Sequence, residues 1–151
     1  MIEGQLVNKP AFCVLGIQER INPMAADYRE LWSRFEDHFP EVSALASEEA
    51  GYGVYFDCGE PGKCDFVAGM HVPADAPTIG GLVAREVPAA EYSVFECPMT
   101  GIGPAWGEIF QSWLPSSGRE IDDGKPSFER FCPGCREGRV PVQIFVALKP
   151  M

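Results

Sequence analysis

The sequence lacks several features that would assign it directly to a class of proteins. None of its apolar runs approaches the length of a membrane span, so a membrane protein is not indicated. Residues 1–17 contain no basic segment ahead of an apolar core, so we predict no secretory signal and expect a cytoplasmic protein. A Gly-x-Ser-x-Gly motif is also missing, and His38 and His71 have no evident triad partners, which argues against a nucleophilic hydrolase.

Basic residues are scarce in this chain. The 151 residues include 12 Lys and Arg against 22 Asp and Glu, for a formal net charge of -10. A surface of this sign repels phosphate backbones, so we do not expect direct binding of nucleic acid. With 46% apolar and 23% charged residues the chain resembles ordinary globular proteins, and its length suits one domain over residues 1–151.

Two segments have apolar residues at helical spacing. We predict that the first begins with Asn22 as N-cap and ends at Pro40, and that the second lies between Pro104 and Pro115. Each helix would bury one aromatic-rich face. The apolar positions of the second segment are Trp106, Ile109, Phe110, Trp113 and Leu114.

Strand patterns accompany both helices in the same order. A strand–helix–strand–strand unit occurs at residues 1–88 and again at residues 89–151, with an additional strand at 82–88 that closes the first copy. We therefore predict an α+β fold of duplicated βαββ units with pseudo-twofold symmetry. Antiparallel sheets, one helix per repeat and a ligand cleft between the repeats complete this prediction.

Alternation along the strands predicts the face on which each residue lies. The helix-facing positions are predicted to be Phe66, Ala68, Met70, Val142, Ile144 and Val146. Gln143 and Phe145 then face the other way. A groove between the two copies would be lined by Gln143, Phe145, Glu129 and Phe131.

Several stretches together resemble a known family. They are EYSVFECP, IGPAWGEIFQSWLPSSG, EIDDGKPSFERF and VPVQIFVALKP, with FVAGMHVP after a GYGVYFD strand in the first half. The chain resembles the GyrI-like small-molecule-binding domain, which is also the effector-binding domain of AraC- and MerR-type multidrug-responsive regulators. The resemblance implies a cleft between the repeats that accepts aromatic, often cationic, compounds. Both helices are used within the repeats, so we expect a stand-alone binder without a DNA-reading module.

The resemblance assigns roles to three residues. Glu129, in SFERF, matches a strand position whose carboxylate faces the cleft in multidrug-binding members. Gln143 and Phe145 match a position pair that is usually acidic and then aromatic, and the neutral Gln143 departs from this pattern. Burial of Glu129 among aromatic rings would be unfavourable without a cation or a donor. The alternative is an exposed Glu129 paired with Arg130 or Arg136.

Aromatic residues on strands are further candidates for stacking on a ligand. Trp106 is expected first in the helix core and is retained as a ligand-binding candidate. The strand candidates are Tyr52, Tyr55, Phe56, Phe95, Phe131 and Phe145.

Two other functions stay open for the same fold. The resemblance extends to members that hydrolyse electrophilic compounds with a glutamate and a tyrosine, here Glu129 and a nearby tyrosine. It also extends to protein-interaction modules that act on DNA gyrase, so a protein partner is an alternative to a small-molecule ligand. No cofactor and no membrane are expected to take part.

The six cysteines, in a chain without a predicted signal peptide, argue against a disulfide framework. Cys58, Cys64, Cys132 and Cys135 flank two hairpin turns and could form a tetrahedral zinc site if those turns met. A redox or disulfide pair formed by Cys132 and Cys135 is a further alternative, and free thiols are the leading interpretation.

Overall fold

The computed structural model describes residues 2–151, which contain eight β-strands and four α-helices. The strands are β1 (Gln5–Lys9), β2 (Phe12–Ile21), β3 (Gly51–Asp57), β4 (Cys64–Val72), β5 (Val83–Val87), β6 (Ala90–Cys97), β7 (Ser127–Phe131) and β8 (Val142–Leu148). The helices are α1 (Tyr28–Glu36), α2 (Phe39–Leu45), α3 (Ile102–Glu108) and α4 (Leu114–Ser117). A π-helical segment, Ile109–Trp113, joins α3 to α4. No helix in this part of the chain is both long and apolar enough to cross a membrane.

All eight strands form one antiparallel sheet in the order β1-β6-β8-β7-β3-β4-β2-β5, which confirms the α+β class. The sheet must curve strongly, because β5 and β6 are consecutive in the chain but lie six positions apart in the sheet. A flat sheet would separate them by roughly 29 Å, at about 4.8 Å per strand. The step from Val87 to Ala90 reaches at most about 11 Å. The sheet therefore curls until both residues pack in the same core.

The inner face of the curled sheet encloses an aromatic core. Phe128 of β7 stacks on Phe145 of β8 with their ring centroids 4.5 Å apart. Its ring also lies 5.5 Å from that of Phe12 on β2, three strands away. Tyr52 and Tyr92 are fully buried in the same cluster. The groove predicted beside Phe145 on this face is therefore wrong, because the curvature of the sheet fills the space with side chains.

The helices cover the outer face of the sheet, and the predicted helix-facing positions are confirmed. One cluster joins β4 to Leu31 and Phe35 of α1. The other joins β8 to Ala105 and Ile109 of the second helical segment. The strand residues in these clusters include Phe66, Ala68, Met70, Val142, Ile144 and Val146.

The first helical segment differs from the prediction at both ends. Helix α1 begins at Tyr28 because Asp27, not Asn22, caps it by accepting the backbone N–H of Glu30 at 3.1 Å. Asn22 instead accepts a backbone N–H two residues later, at 3.0 Å, in a tight turn. Pro40 does not end the helical region but lies in the first turn of α2, where a missing N–H is harmless. Two helices, not the predicted one, therefore connect β2 to β3.

Pro115 does not end the second helical segment, contrary to the prediction. The helical backbone continues through α4 to Gly118, which adopts the left-handed conformation with a φ of 72°. In a regular α-helix the Pro115 ring would clash with the carbonyl of Gln111. Within the π-helical segment, the N–H of Leu114 donates to the carbonyl of Ile109, five residues back. This wider turn accommodates the proline ring without ending the helix.

Candidate functional site

A cleft of about 2490 Å³ lies on the outer face between the two helical segments. Its floor is the middle of the sheet, where β3 and β7 are neighbours, and its walls are α1 and α3. The volume exceeds the roughly 300–1,000 Å³ of a typical ligand pocket, so one small molecule would fill part of it. Its aromatic lining consists mainly of Tyr28, Trp32, Tyr55, Trp106, Phe110 and Phe131.

Two glycines keep the floor of the cleft open. Gly51 and Gly53 lie two residues apart on β3, directly opposite Phe131 and Glu129 of β7. A Cβ at Gly53 would lie 2.9 Å from Cζ of Phe66 and 3.6 Å from Oε1 of Glu129. A side chain at Gly53 would therefore displace the Phe66 ring, whereas its 3.6 Å distance from the Glu129 carboxylate is that of an ordinary contact.

Glu129 lies in this floor and is buried, with 4% of its surface exposed. The Tyr55 hydroxyl and the Trp106 Nε1–H each donate a hydrogen bond to Oε2 of Glu129 at 2.8 Å. Both donors are neutral, and no basic side chain among residues 2–151 forms an ion pair with this carboxylate. Burial raises the pKa of the Glu129 carboxyl above its usual range, while the bonds from Trp106 and Tyr55 act in the opposite direction.

The alternative in which Glu129 pairs with Arg130 or Arg136 is wrong. Arg130 follows Glu129 on β7 and therefore points to the inner face, where its Nη2 lies 2.6 Å from Oε1 of Glu48. Arg136 pairs with Glu36 of α1 at 3.2 Å. Both arginines thus have acidic partners outside the floor of the cleft.

Aromatic rings from both walls meet the floor. The Trp106 ring stacks on Phe110 at 5.8 Å with 20° between their planes, and meets Tyr55 edge-on at 6.1 Å. On the other wall, Trp32 packs edge-on against Phe131 at 5.4 Å. Such rings bind flat apolar groups by burial, and cations by the negative potential of their faces.

Comparison with known proteins agrees with this architecture. Residues 3–149 match the sequence profile of the GyrI-like small molecule binding domain. The chain belongs to this family. It is similar to the transcriptional regulator BrlR of Pseudomonas aeruginosa, with 30% identity over 113 residues, which are 74% of this chain and 40% of that protein. The GyrI-like chain described here therefore spans less than half of the length of this relative.

Two solved structures share the fold of this GyrI-like domain. SAV2435 bound to tetraphenylphosphonium has a TM-score of 0.81 at 14% identity, over 98% of this chain and 94% of that one. The C-terminal domain of EcmrR has a TM-score of 0.73 at 15% identity, over 100% of this chain and 99% of that one. At these identities the likeness establishes the fold.

The GyrI-like domain brings together only part of the predicted ligand-binding set. Glu129, Phe131 and Trp106 line the cleft, as does Tyr55. Phe56 also borders the cleft, although its ring packs in the inner core. The guanidinium of Arg85 lies over this ring, 3.9 Å from its centroid. The structure places the other four residues outside the cleft lining; they are Gln143, Phe145, Tyr52 and Phe95.

Strand register explains why Gln143 lies apart from Glu129. β7 and β8 pair Glu129 with Ile144 and Arg130 with Gln143, and directly opposed residues share a face of the sheet. Gln143 therefore lies on the inner side, where its Oε1 accepts a hydrogen bond from Arg130 at 2.9 Å. Phe95 faces outward but is covered by the Trp113 ring, at a centroid distance of 4.9 Å.

The aromatic lining of the cleft includes Tyr28, Trp32 and Phe110, which are absent from the predicted site. Tyr28 and Trp32 are four residues apart on α1, and Trp106 and Phe110 have the same spacing on the opposite wall. Residues at this spacing share one face of a helix. The paired aromatic stripes are the sequence signal for the two walls, although the same pattern also fits a helix packed into a core.

A second polar cluster lies on the inner face of this domain. Oε1 of Glu48 accepts a hydrogen bond from Arg130 at 2.6 Å, and its Oε2 lies 2.8 Å from the Tyr52 hydroxyl and 3.0 Å from Nδ1 of His71. Burial acts to raise the pKa of Glu48, but the bonds from His71, Arg130 and Tyr52 outweigh it and lower this pKa to about 2. Each of these groups is satisfied within the protein, so the cluster has a structural character.

All six cysteines are free thiols. No group of three or more His, Cys, Asp or Glu side chains within residues 2–151 is arranged to hold a metal ion. The zinc site considered for Cys58, Cys64, Cys132 and Cys135 fails because β3 and β7 run antiparallel. The turn after β3 therefore lies at the opposite end of the sheet from the turn after β7, roughly 27 Å away over eight extended residues.

Proposed function

We propose that this GyrI-like domain binds aromatic or amphiphilic small molecules in the cleft, that cations are its preferred ligands, and that Glu129 is the recognition group. One observation carries the proposal: a buried carboxylate in the floor of an aromatic cleft has two neutral donors and no cationic partner among residues 2–151. A bound cation would supply the missing positive charge. Tetraphenylphosphonium, bound to the structural neighbour SAV2435, is an aromatic cation of this kind.

The energetics favour a flat or propeller-shaped cation over a small hydrated ion. Ring faces contribute about 0.5–2 kcal/mol for each well-placed cation contact. A charged carboxylate acts more strongly in a site with little water than on the surface, because the effective dielectric constant is lower. Trp106, Phe131 and Tyr55 supply the rings, and Glu129 supplies the charge.

We also propose that the cleft lies between two copies of one ancestral unit. The strand order supports this proposal: β3-β4-β2 on one side of the midline corresponds to β7-β8-β6 on the other. In the first unit β3 and β4 are neighbours, and β2, which comes first in the chain, lies farthest from the midline. In the second unit β7 and β8 are neighbours, and β6 lies farthest from the midline. β3 and β7 occupy equivalent places and meet at the floor of the cleft, with β5 and β1 added at the two edges.

The decisive experiment compares a cation with a neutral molecule of similar shape. Binding of tetraphenylphosphonium and of triphenylphosphine oxide is measured by calorimetry for the original chain and for Glu129→Gln. We expect the substitution to weaken binding of the cation at least tenfold, about 1.4 kcal/mol. The neutral oxide should bind the variant at least as well as the original chain.

The matched control is Glu49→Gln, which removes the same charge from an exposed position that also borders the cleft. It should change the affinity for the cation by less than about threefold, because exposed charges are screened. Equal losses for Glu129→Gln and Glu49→Gln would mean that the cation senses only the net charge of the domain. Unchanged affinity in Glu129→Gln would reject Glu129 as the recognition group.

A second candidate function rests on the 2.8 Å hydrogen bond between the Tyr55 hydroxyl and Glu129. In this reading the carboxylate activates water against an electrophilic ligand, and the phenol donates to the oxygen that leaves carbon. The test is incubation with an aromatic epoxide and detection of the diol. Turnover that is lost in both Tyr55→Phe and Glu129→Gln would establish the hydrolase. If the epoxide is recovered unchanged, the hydrolase is rejected and ligand binding is the remaining candidate function.

A further inference from the structure

A tight turn with two cysteines forms one end of the cleft. The segment Cys132-Pro133-Gly134-Cys135 follows β7 directly, and all four residues border the cleft. The backbone N–H of Cys135 donates to the carbonyl of Cys132 at 3.1 Å, which closes a four-residue β-turn. Gly134 has a φ of 95°, and proline followed by such a glycine fits a type II turn.

The turn holds the two cysteines at a separation that suits a disulfide. Cα atoms at the first and fourth positions of a β-turn lie within about 7 Å of each other. Disulfides join Cα atoms that are about 4.4–6.8 Å apart. Two further backbone hydrogen bonds, from Gly138 to Cys135 at 3.2 Å and from Arg139 to Gly134 at 2.9 Å, order the residues that follow. The backbone is thus already close to the geometry of the oxidised form.

The two thiols occupy different environments. Nη1 of Arg130 lies 2.7 Å from Sγ of Cys132, which is partly exposed. Because the Cys132 sulfur is partly exposed, a dissolved peroxide can reach it, as attack on the peroxide requires. Cys135 is buried in the outer core, with 4% of its surface exposed. Burial raises the pKa of the Cys135 thiol, so it is the weaker attacking group.

We propose that Cys132 and Cys135 form a reversible disulfide at the end of the cleft, with Cys132 as the attacking thiol and Cys135 as the resolving thiol. The oxidant is a hydroperoxide, represented by hydrogen peroxide. Cys132 sulfur attacks one peroxide oxygen, the O–O bond breaks, and Cys132 becomes a sulfenic acid while one water leaves. Cys135 sulfur then attacks the Cys132 sulfur and displaces a second water. The peroxide is reduced by two electrons, and the two thiols are oxidised by two electrons.

The Cys132–Cys135 disulfide would fix the turn at the end of the cleft, and this turn is connected both to the floor and to the wall formed by α1. Phe131, which immediately precedes the turn, lies in the floor and packs against Trp32. Arg136, which immediately follows it, pairs with Glu36 of α1 at 3.2 Å. The oxidised turn would therefore constrain the connection between the floor and one wall. This proposal requires no bound ligand and does not depend on the function proposed for Glu129.

Peptide mapping tests the proposal without any variant. Trypsin cleaves after Arg130 and Arg136, so both cysteines fall in one peptide, Phe131–Arg136. The reduced, folded chain is treated with hydrogen peroxide, alkylated and digested. We expect this peptide to lose two hydrogens and to take up no alkylating reagent, and treatment with dithiothreitol before alkylation should restore both sites. Cys58 and Cys64 are the internal control, because cleavage after Lys63 would leave a disulfide between them linking two peptides.

Single substitutions distinguish the two roles. Cys135→Ser should leave a sulfenic acid on Cys132 that dimedone traps, while Cys132→Ser should leave Cys135 unoxidised at the same dose of peroxide. Full alkylation of both sites in wild-type Phe131–Arg136 after peroxide would overturn the proposal, as would disulfide dimers in place of the intramolecular bond. Dimedone on Cys135 in Cys132→Ser would overturn the assignment of roles. Circular dichroism tests whether each variant is folded. If a variant is unfolded, the peptide map of the wild-type protein alone decides whether the disulfide forms.

Discussion

The indole Nε1–H of Trp106 donates a 2.8 Å hydrogen bond to Oε2 of Glu129, across 23 positions of the chain. This bond connects α3, a wall of the cleft, to β7, its floor. The group proposed to recognise the ligand is thus also a structural contact between helix and sheet. Its burial without a cationic partner is unfavourable for the folded domain when the carboxylate is charged.

Glu129→Gln should therefore stabilise the domain at neutral pH. The amide oxygen can accept both hydrogen bonds, and no charge is buried. We expect the free energy of unfolding to rise by about 1–2 kcal/mol, and the melting temperature to rise by about 2–4 °C for each kcal/mol. Thermal and urea denaturation at pH 7 measure this effect. A loss of stability at pH 7 would mean that the charged carboxylate is favourable in the fold.

The pH dependence of this effect has a defined sign. The pKa of Glu129 is raised in the folded state, so its contribution favours folding below the ordinary glutamate pKa and is lost as pH rises through the folded pKa. The advantage of Glu129→Gln should accordingly disappear near pH 4. Glu48→Gln is the opposite control: the pKa of Glu48 is lowered to about 2, so its favourable contribution is present above its ordinary pKa and is lost as pH falls through about 2.

Tyr55→Phe should destabilise the domain because it removes a donor from a buried carboxylate. Hydrogen bonds to charged groups contribute about 1.5–3 kcal/mol, and we expect a loss in this range at pH 7. Tyr28→Phe is the control: it loses a bond to the neutral carbonyl of Pro23 and an interaction with the Tyr55 hydroxyl, but no direct bond to the carboxylate, and should cost about 0.5–1.5 kcal/mol. In a Glu129→Gln background the cost of Tyr55→Phe should fall. Equal costs in both backgrounds would show that the Tyr55 hydroxyl does not act through the charge of Glu129.

The sequence predicts face assignments well where a strand has a strict two-residue period. Val142 and Ile144 illustrate this point, because each faces the helices whatever strand lies beside β8. Gln143 illustrates the limit. Its neighbours depend on the register with β7 and on the curvature of the whole sheet, and both are set by contacts between residues far apart in the sequence.

Local rules for proline also had limited reach. Pro40 and Pro115 both follow aromatic-rich turns, and both predict the end of a helix. In the structure Pro40 lies in the first turn of a second helix, α2. Pro115 lies in α4, which continues the helical backbone after the π-helical segment. Strand alternation grouped Glu129 in one groove with Gln143, which lies on the other face of the sheet, and only the family resemblance indicated that the Glu129 carboxylate faces a cleft. Its immediate neighbours in the sequence, Phe128 and Arg130, point to the inner face and carry no information about the cleft.

Gly53→Ala should disturb the floor of the cleft. The added Cβ would lie 2.9 Å from Cζ of Phe66, which is 1% exposed, so the ring must move. We expect a loss of about 1–3 kcal/mol in unfolding free energy. Gly107→Ala on α3 is the matched control, because its Cβ would meet no atom within 4 Å, and it should gain about 1 kcal/mol from helix propensity. Urea denaturation of both variants measures these effects, and a Gly53→Ala protein as stable as the original would show that the floor has free space.

The pH dependence of ligand binding should report the ionisation of Glu129. Tetraphenylphosphonium keeps its charge at every pH, so any dependence of its affinity must come from the protein. The cation favours the carboxylate and therefore lowers the pKa of Glu129 in the complex relative to the free domain, where burial raises it. Affinity should rise with pH through the pKa of the free form and level off above it.

Triphenylphosphine oxide should show the opposite slope, because its oxygen accepts a hydrogen bond from protonated Glu129 and gains nothing from the carboxylate. Calorimetry in buffers of different ionisation enthalpy would show proton release with the cation and proton uptake with the oxide. Both slopes should vanish in Glu129→Gln, which has no proton to exchange at this position. Equal slopes for the two probes would place the titrating group elsewhere in the cleft, and a slope that persists in Glu129→Gln would do the same.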